Sequence, residues 1–249
     1  MKIILVGYNG HMGREVRTCA EQAADCEIIA GIDPIAPEPA GVCFASFEAC
    51  GAKAAEADVI IDFSHHSMTG ALLDFAEANR LPVVLATTGQ TEEEKARIRE
   101  AEKTVPVFLA ANYSLGIATL TDLVKRVAAL YPDGEIEIVE QHHDRKLDAP
   151  SGTALALFNA VKEVRPSAEA NCGRSGQGKR TKDEVGIHAV RMGNIVGIHE
   201  VMIGTQNERI TLKHEAFSRG VFAEGSIKAA KFMIGKKPGM YDMKDLLAE

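Results

Sequence analysis

Residues 140–157 read EQHHDRKLDAPSGTALAL and gather unusual chemistry into one stretch. His142 and His143 can donate or accept a proton near neutral pH. Lys146 can donate a proton or anchor a carboxylate, and Arg145 adds positive charge beside it. Ser151 is a good N-cap for the apolar run GTALALFNAVKEV, so a helix is expected from Gly152. The first-turn N–H groups of Gly152 and Thr153 are then expected to be free to hold an anion such as a carboxylate. This combination suits a small anion that must be protonated during reaction. His142 and Lys146 are the candidate proton donors; His143, Ser151, Gly152 and Thr153 are candidate substrate-binding groups. A bland reading, of capped loops and solvated charges, would also have to explain the lysine and the helix start. Adjacent histidines on a strand point to opposite faces and chelate poorly, so no metal is expected.

A second motif lies at the start of the chain. KIILVG is a short buried strand, and GYNGHMG follows it just where a helical pattern begins. The glycines Gly7, Gly10 and Gly13 form a variant of the dinucleotide fingerprint. Gly7 suits the tight turn, Gly10 the close approach of pyrophosphate, and Gly13 the packing of helix on strand. Asp33 ends the next strand about 20 residues beyond Gly13, where an acid accepts ribose hydroxyls. The carboxylate disfavours a 2′-phosphate by like-charge repulsion. Pro34 follows it in place of an arginine. NADH is therefore the expected cofactor, with NADPH as a second.

These motifs need elements to position them. Strand and helix patterns alternate through residue 113, which implies βαβ units, a parallel sheet and helices on both faces. Functional residues then belong at strand C-terminal ends: Gly7 to Met12, Asp33, Asp62 to His65, Ala86 to Gly89 and Ala110 to Tyr113. PIAPEPAG reads as a Pro-rich loop, and TEEEKARIREAEK as an exposed helix with Thr91 and Glu94 as a capping box. After residue 114 the pattern changes. GEIEIVEQHH alternates like a half-exposed strand, NCGRSGQGKRTKDEVG reads as a polar, basic loop, and three consecutive strands follow. Strands in succession imply antiparallel pairing. The fold class is α/β: a Rossmann-type parallel-sheet dinucleotide-binding domain over 1–113 and 219–249. An α+β substrate-binding and oligomerisation domain with an open mixed sheet spans 114–218. The helix GVFAEGSIKAAKFMIG is expected to return to the first domain. Arg219 stands at that junction, suited either to a substrate carboxylate or to a hinge. His65 and His66 read as a loop near the cofactor without a catalytic role.

Bulk properties limit the partners. The net charge is −7 and the pI about 5.7, which argues against nucleic acid or an anionic membrane. No apolar run is long enough to span a bilayer, and the first residues are too short a run for a signal peptide. Cys19, Cys26, Cys43, Cys50 and Cys172 are odd in number and lack CxxC spacing. They read as reduced thiols in a cytoplasmic protein.

EQHHDRKLDAPSGTA resembles the signature of the dihydrodipicolinate reductases, also called 4-hydroxy-tetrahydrodipicolinate reductases. VGYNGHMGR, IDFS, ATTG, AANYSLG, GIHAVRMGNIVGIHEV and GMYDMKDLL extend the resemblance over nearly the whole chain. The long central motif is specific; the glycine loop alone is not. The resemblance implies reduction of a cyclic dicarboxylate imine with NAD(P)H in lysine and diaminopimelate biosynthesis, by a homotetramer joined through the second sheet. It implies His142 as proton donor and Lys146 as a second donor, with His143, Gly152 and Thr153 on the substrate. It also implies dinucleotide contacts from Gly7, Tyr8, Asn9, Gly10, His11, Met12 and Asp33. Further contacts would come from Ala86, Thr87, Thr88, Ala110, Ala111, Asn112 and Tyr113. Two departures stand out. Asp33-Pro34 replaces the acid-arginine pair that helps NADP binding in some members, and Ala86 stands where glycine is common. Two rivals remain: a nucleotide sensor without chemistry, and another dehydrogenase of aspartate metabolism acting on a substrate such as homoserine.

Overall fold

The structure is a computed structural model that describes residues 1–35 and 41–249. Most of the Pro-rich loop read from the sequence lies outside the described residues. The chain divides into two compact units, Met1–Ser114 with Arg219–Glu249, and Leu115–Ser218.

In the first unit β1 (Lys2–Val6) leads through the glycine loop to α1 (His11–Gln22) and β2 (Glu27–Ile32). Then come β3 (Cys43–Phe44), α2 (Phe47–Ala54), β4 (Val59–Asp62), a 3-10 turn, α3 (Thr69–Asn79), β5 (Val83–Leu85), α4 (Glu92–Ala101) and β6 (Pro106–Leu109). Strands β1, β4 and β5 are buried almost throughout. Their unbroken apolar runs are what a strand covered on both faces requires. All pairings in the sheet are parallel. Strand order reverses at β1, which lies between β2 and β4. The crevice outside such a reversal is where open α/β sheets bind ligands.

The second unit holds α5 (Leu115–Leu130), β7 (Glu135–His142), α6 (Gly152–Val164), β8 (Glu169–Cys172), β9 (Glu184–Arg191), β10 (Gly197–Gly204) and β11 (Arg209–Ala216). Its sheet runs β11-β10-β7-β9-β8. The β10 pairs with β11 and β7 are antiparallel, whereas β7/β9 and β8/β9 are parallel. The run of three antiparallel strands is therefore corrected: β9 and β10 are not neighbours, and β7 lies between them. The reason lies in their connection, which crosses the end of β7. Met192 N–H donates to His142, His143 N–H to Ile195, and Asp144 N–H to Gly193. The polar stretch also hides a strand, β8, whose residues are mostly exposed and carry no apolar signal. Ile136, Ile138, Leu157, Val185, Ile187, Val201 and Ile203 form the core against α5 and α6.

The chain then returns to the first unit as α7 (Gly220–Met233), β12 (Gly239–Tyr241) and α8 (Met243–Leu247). β12 adds to the sheet edge beside β6. α7 packs on α1. A Cβ at its Gly225 would stand 1.7 Å from the Tyr113 carbonyl oxygen. No helix among the described residues is long and apolar enough to cross a membrane.

At Gly13 a Cβ would stand 2.1 Å from the Gly7 carbonyl oxygen and 2.6 Å from that of Tyr8. Gly13→Ala should lower stability by about 2 kcal/mol through forced backbone movement. Gly51→Ala, in α2 with open space at its Cβ, should be neutral or gain up to about 1 kcal/mol. Urea unfolding of both variants measures the contrast; equal effects would show that Gly13 does not hold the loop on α1.

Candidate active site

The alternation of β7 places Ile136, Ile138, Glu140 and His142 on its buried face. The face is apolar for two positions and then turns polar inside the same core. Sheet register supplies the partners, because paired residues share a face. His199 on β10 pairs with Glu140, and Arg191 on β9 pairs with His142. Glu140 is fully buried. Its carboxylate accepts from His142 Nδ1 at 2.5 Å, from Arg191 at 2.9 and 2.7 Å, and from the Ser151 N–H at 2.9 Å. Burial works to raise this carboxyl, but Arg191, His142 and the Ser151 amide together hold it below the usual range.

Burial pushes His142 below the ordinary histidine value, against the upward pull of Glu140; Lys146 and Arg191 add to the fall. The His199 ring crosses His142 with centroids 5.1 Å apart and planes at 72°. Burial, then His142, brings His199 down to about 4, so it is neutral. Its Nε2 lies 3.3 Å from Ser151 Oγ.

Ser151 caps α6 as its residue type predicts: Oγ accepts from the Ala154 N–H at 3.2 Å. Lys146 Nζ lies 2.8 Å from Asp148 Oδ1. That contact comes first in holding Asp148 below the usual carboxylate range, and the Gly152 amide contributes. Arg145 does not join the cluster. It is exposed and pairs with Asp144 and Asn194. His143 is half-buried, and its buried Nδ1 has no partner among the described residues.

In the first unit the expected cofactor residues gather along neighbouring strand ends. Gly7 adopts φ +81°, the left-handed region that favours glycine. Its N–H donates to Ile32 at 2.9 Å, and the Gly10 N–H returns to Gly7 at 3.1 Å. Asp33 is buried and accepts the Asn9 N–H at 2.9 Å and the Ile35 N–H at 3.1 Å. Gly10, the N-cap of α1, supplies no side-chain cap, and no acid stands in the first turn. Its first amides therefore remain oriented toward an anion, as pyrophosphate requires. Thr87 lies on the turn after β5, which Gln90 braces through the Thr87 carbonyl at 2.6 Å. His66 bonds Glu94, the acid of the α4 capping box, at 2.9 Å, so it orders the same turn. The Tyr113 hydroxyl donates to the Leu85 carbonyl at 2.7 Å and ties the β6 end to β5. Ala110, Ala111 and Asn112 precede it. The residues present fit a dinucleotide.

The family profile described as Dihydrodipicolinate reductase, N-terminus, matches residues 1–113, and that described as Dihydrodipicolinate reductase, C-terminus, matches 116–247. The 4-hydroxy-tetrahydrodipicolinate reductase of Clostridium tetani (strain Massachusetts / E88) is 45% identical over 249 residues, 99% of this chain and 97% of the relative. The chain belongs to the dihydrodipicolinate reductase family. The enzyme of the same name from Caldanaerobacter subterraneus subsp. tengcongensis is also 45% identical, over 99% and 98% of the two chains. Among solved structures, dipicolinate-bound dihydrodipicolinate reductase from Paenisporosarcina sp. TG-14 matches with a TM-score of 0.82 at 23% identity, covering 97% of each chain. That likeness concerns the fold.

Within this member of the family, Glu140, Arg191, His199 and Asp148 were not among the residues picked out by sequence. Glu140 had a usable signal, because it stands two positions before His142 on a strand and so shares its face. The others are brought in by pairing or by loop folding. Among the described residues no group of three His, Cys, Asp or Glu is placed to hold a metal. No disulfide joins the cysteines.

Arg191→Ala would leave the buried Glu140 carboxylate short of two donors. Loss of one partner of such a pair costs about 3 kcal/mol or more. Chemical denaturation should show that loss near neutral pH, shrinking as acid protonates Glu140. A variant as stable as the parent would mean that water replaces Arg191 at the carboxylate.

Proposed function

We propose that the chain reduces 4-hydroxy-tetrahydrodipicolinate, a cyclic dicarboxylate imine, to tetrahydrodipicolinate with loss of the 4-hydroxyl as water, in lysine and diaminopimelate biosynthesis, with His142 and Lys146 as its proton donors. The family membership carries the reaction. The observation that carries the roles is a buried imidazole held by Glu140 at the end of β7, with Lys146 near enough to lower its pKa.

The binding step follows from charge. The substrate brings carboxylates to a site whose cations are Lys146 and Arg191, with the start of α6 behind Lys146. One substrate carboxylate competes with Asp148 for Lys146 and the Gly152 amide. His143, Ser151 and Thr153 complete that side. Gly7, Tyr8, Asn9, Gly10, His11, Met12 and the strand ends after β5 and β6 would hold a reduced nicotinamide cofactor, which would supply hydride. Hydride added to the ring made conjugated by that loss of water would leave the adjacent carbon electron-rich, and His142 gives its proton to that carbon. Its resting pKa is low, but nearby carboxylates of the substrate raise it by favouring the imidazolium. The proton thus becomes available when the substrate is present.

Cofactor preference rests on Asp33. Its carboxylate lies buried against the Asn9 and Ile35 amides with Pro34 beside it, an arrangement that favours ribose hydroxyls over a phosphate. NADH is the preferred cofactor in this reading and NADPH the weaker one. A cytoplasmic homotetramer is the matching assembly.

The test is consumption of NADH and NADPH with substrate made in situ from pyruvate and aspartate semialdehyde. Turnover should be seen with both and kcat/KM should favour NADH; none with either would overturn the reading. His142→Ala should lower kcat by about 10²–10⁴-fold, as loss of a general acid does, with NADH affinity unchanged by fluorescence titration. Lost NADH binding would sink the assignment. The pH profile has a definite sign. The active donor is the imidazolium, so kcat/KM should fall as pH rises through the His142 pKa of the free enzyme, below the ordinary histidine value. The corresponding limb of kcat reports the substrate complex and should lie at higher pH. Coincident limbs would mean that the substrate carboxylates do not face His142.

A further inference from the structure

We infer that Glu140 is the positioning residue of the proton donor: it holds His142 with hydrogen on Nδ1, and so makes Nε2 the edge that gains and gives the reacting proton. This deepens the reading of His142 as donor and rests on it. The donors around the carboxylate decide the tautomer. Arg191 and the Ser151 N–H hold Glu140 from β9 and from the start of α6. Both can only donate, so the carboxylate they surround is ionised and can only accept. Nδ1, 2.5 Å from Glu140 Oε2, must therefore carry hydrogen. A carboxylate behind an imidazole fixes its tautomer and orientation in this way.

The other edge of the ring is kept clear. A Cβ at Gly197 would stand 3.2 Å from Nε2 and 3.6 Å from Cδ2, so the glycine leaves that edge uncrowded. The ring is also braced across its face by His199, which Ser151 Oγ contacts in turn. Three strands and the start of α6 thus fix one imidazole.

The charges facing His142 set the sign of the effect. β7 contributes Glu140, β9 Arg191, and the loop after β7 Lys146. β10 contributes His199, with His214 on β11 opposite it. α6 opens with the uncharged Gly152, Thr153 and Ala154. Glu140 is the only anion of the set. Its loss leaves His142 among cations and neutral groups, and the imidazolium becomes harder to form.

The test has two arms. Long-range 1H–15N spectra of the wild-type protein, with His142 assigned by its absence in His142→Gln, should show hydrogen on Nδ1 of the neutral ring. Hydrogen on Nε2 instead would overturn the inference, and this arm needs no variant that might fail to fold. In the second arm, Glu140→Gln should move the basic limb of kcat/KM to lower pH and cut turnover at neutral pH by 10-fold or more, within the range set by general acid catalysis. NADH affinity should stay unchanged, and Glu140→Asp should restore part of the limb. A purely structural role would lower activity evenly and leave the limb in place, which would overturn the inference. Full turnover in His142→Ala would instead overturn the donor reading itself, and with it the role of Glu140. An unmoved limb in Glu140→Gln beside an inactive His142→Ala overturns Glu140 alone.

Discussion

A carboxylate with no exposure to water shapes the second unit. An ionised carboxylate in a protein interior costs several kcal/mol unless it is well bonded. Glu140 meets that condition with donors from three separate elements: His142 on its own strand, Arg191 on β9 and the Ser151 amide at the start of α6. Each donor depends on one alignment. A slip of β9 by one residue would turn Arg191 to the other face, and a shift of α6 would withdraw the Ser151 amide. Buried ion pairs are often no more stabilising than apolar packing of equal volume. What Glu140 contributes is position: it holds the end of β7, the end of β9 and the first turn of α6 to one point.

The same group resolves a conflict in the chemistry. A site for a dicarboxylate needs positive charge, which Lys146 and Arg191 supply. Burial drives protons off His142, and positive charge adds to that. A purely cationic site would bind the substrate well and hold a donor with no proton to give. Glu140 opposes both effects on His142 while Arg191 keeps Glu140 itself ionised. Asp148 makes a comparable compromise one loop away, holding Lys146 in place at the cost of competing for it.

How much of this could be read from the sequence depended on distance along the chain. The glycine loop, Asp33, the Thr91–Glu94 box and the Ser151 cap were legible because each depends on residues a few positions apart, or on one βα unit. β7 was legible from its alternation. The pairing of β7 with β9 was not, since the usual preference for neighbouring strands to pair is defeated by a connection that crosses the end of β7. Arg191 and His199 were missed for that reason: Arg191 lies 51 residues from Glu140, His199 lies farther still, and both reach it through register alone. β3 and β12 are only two and three residues long, too short to show a period. β8 is polar because it lies at an exposed edge. Glu140 was in plain view as the first residue of the central motif, but its role needed the knowledge that this face of β7 stays buried after Ile138.

The two units build their sites from different materials. The first uses main chain: a left-handed glycine, uncapped helix amides and a turn braced by Gln90 and His66. Backbone donors recognise what all dinucleotides share, so they say little about the reaction. The second unit uses side chains that each need a partner in the core. Ile136 and Ile138 could be exchanged for other apolar residues of similar size with modest loss. Glu140 and His142, on the same face, cannot be exchanged singly, because each is the hydrogen-bond partner the other requires. The chemistry of this chain is therefore concentrated where one strand changes from apolar to ionic without leaving the interior.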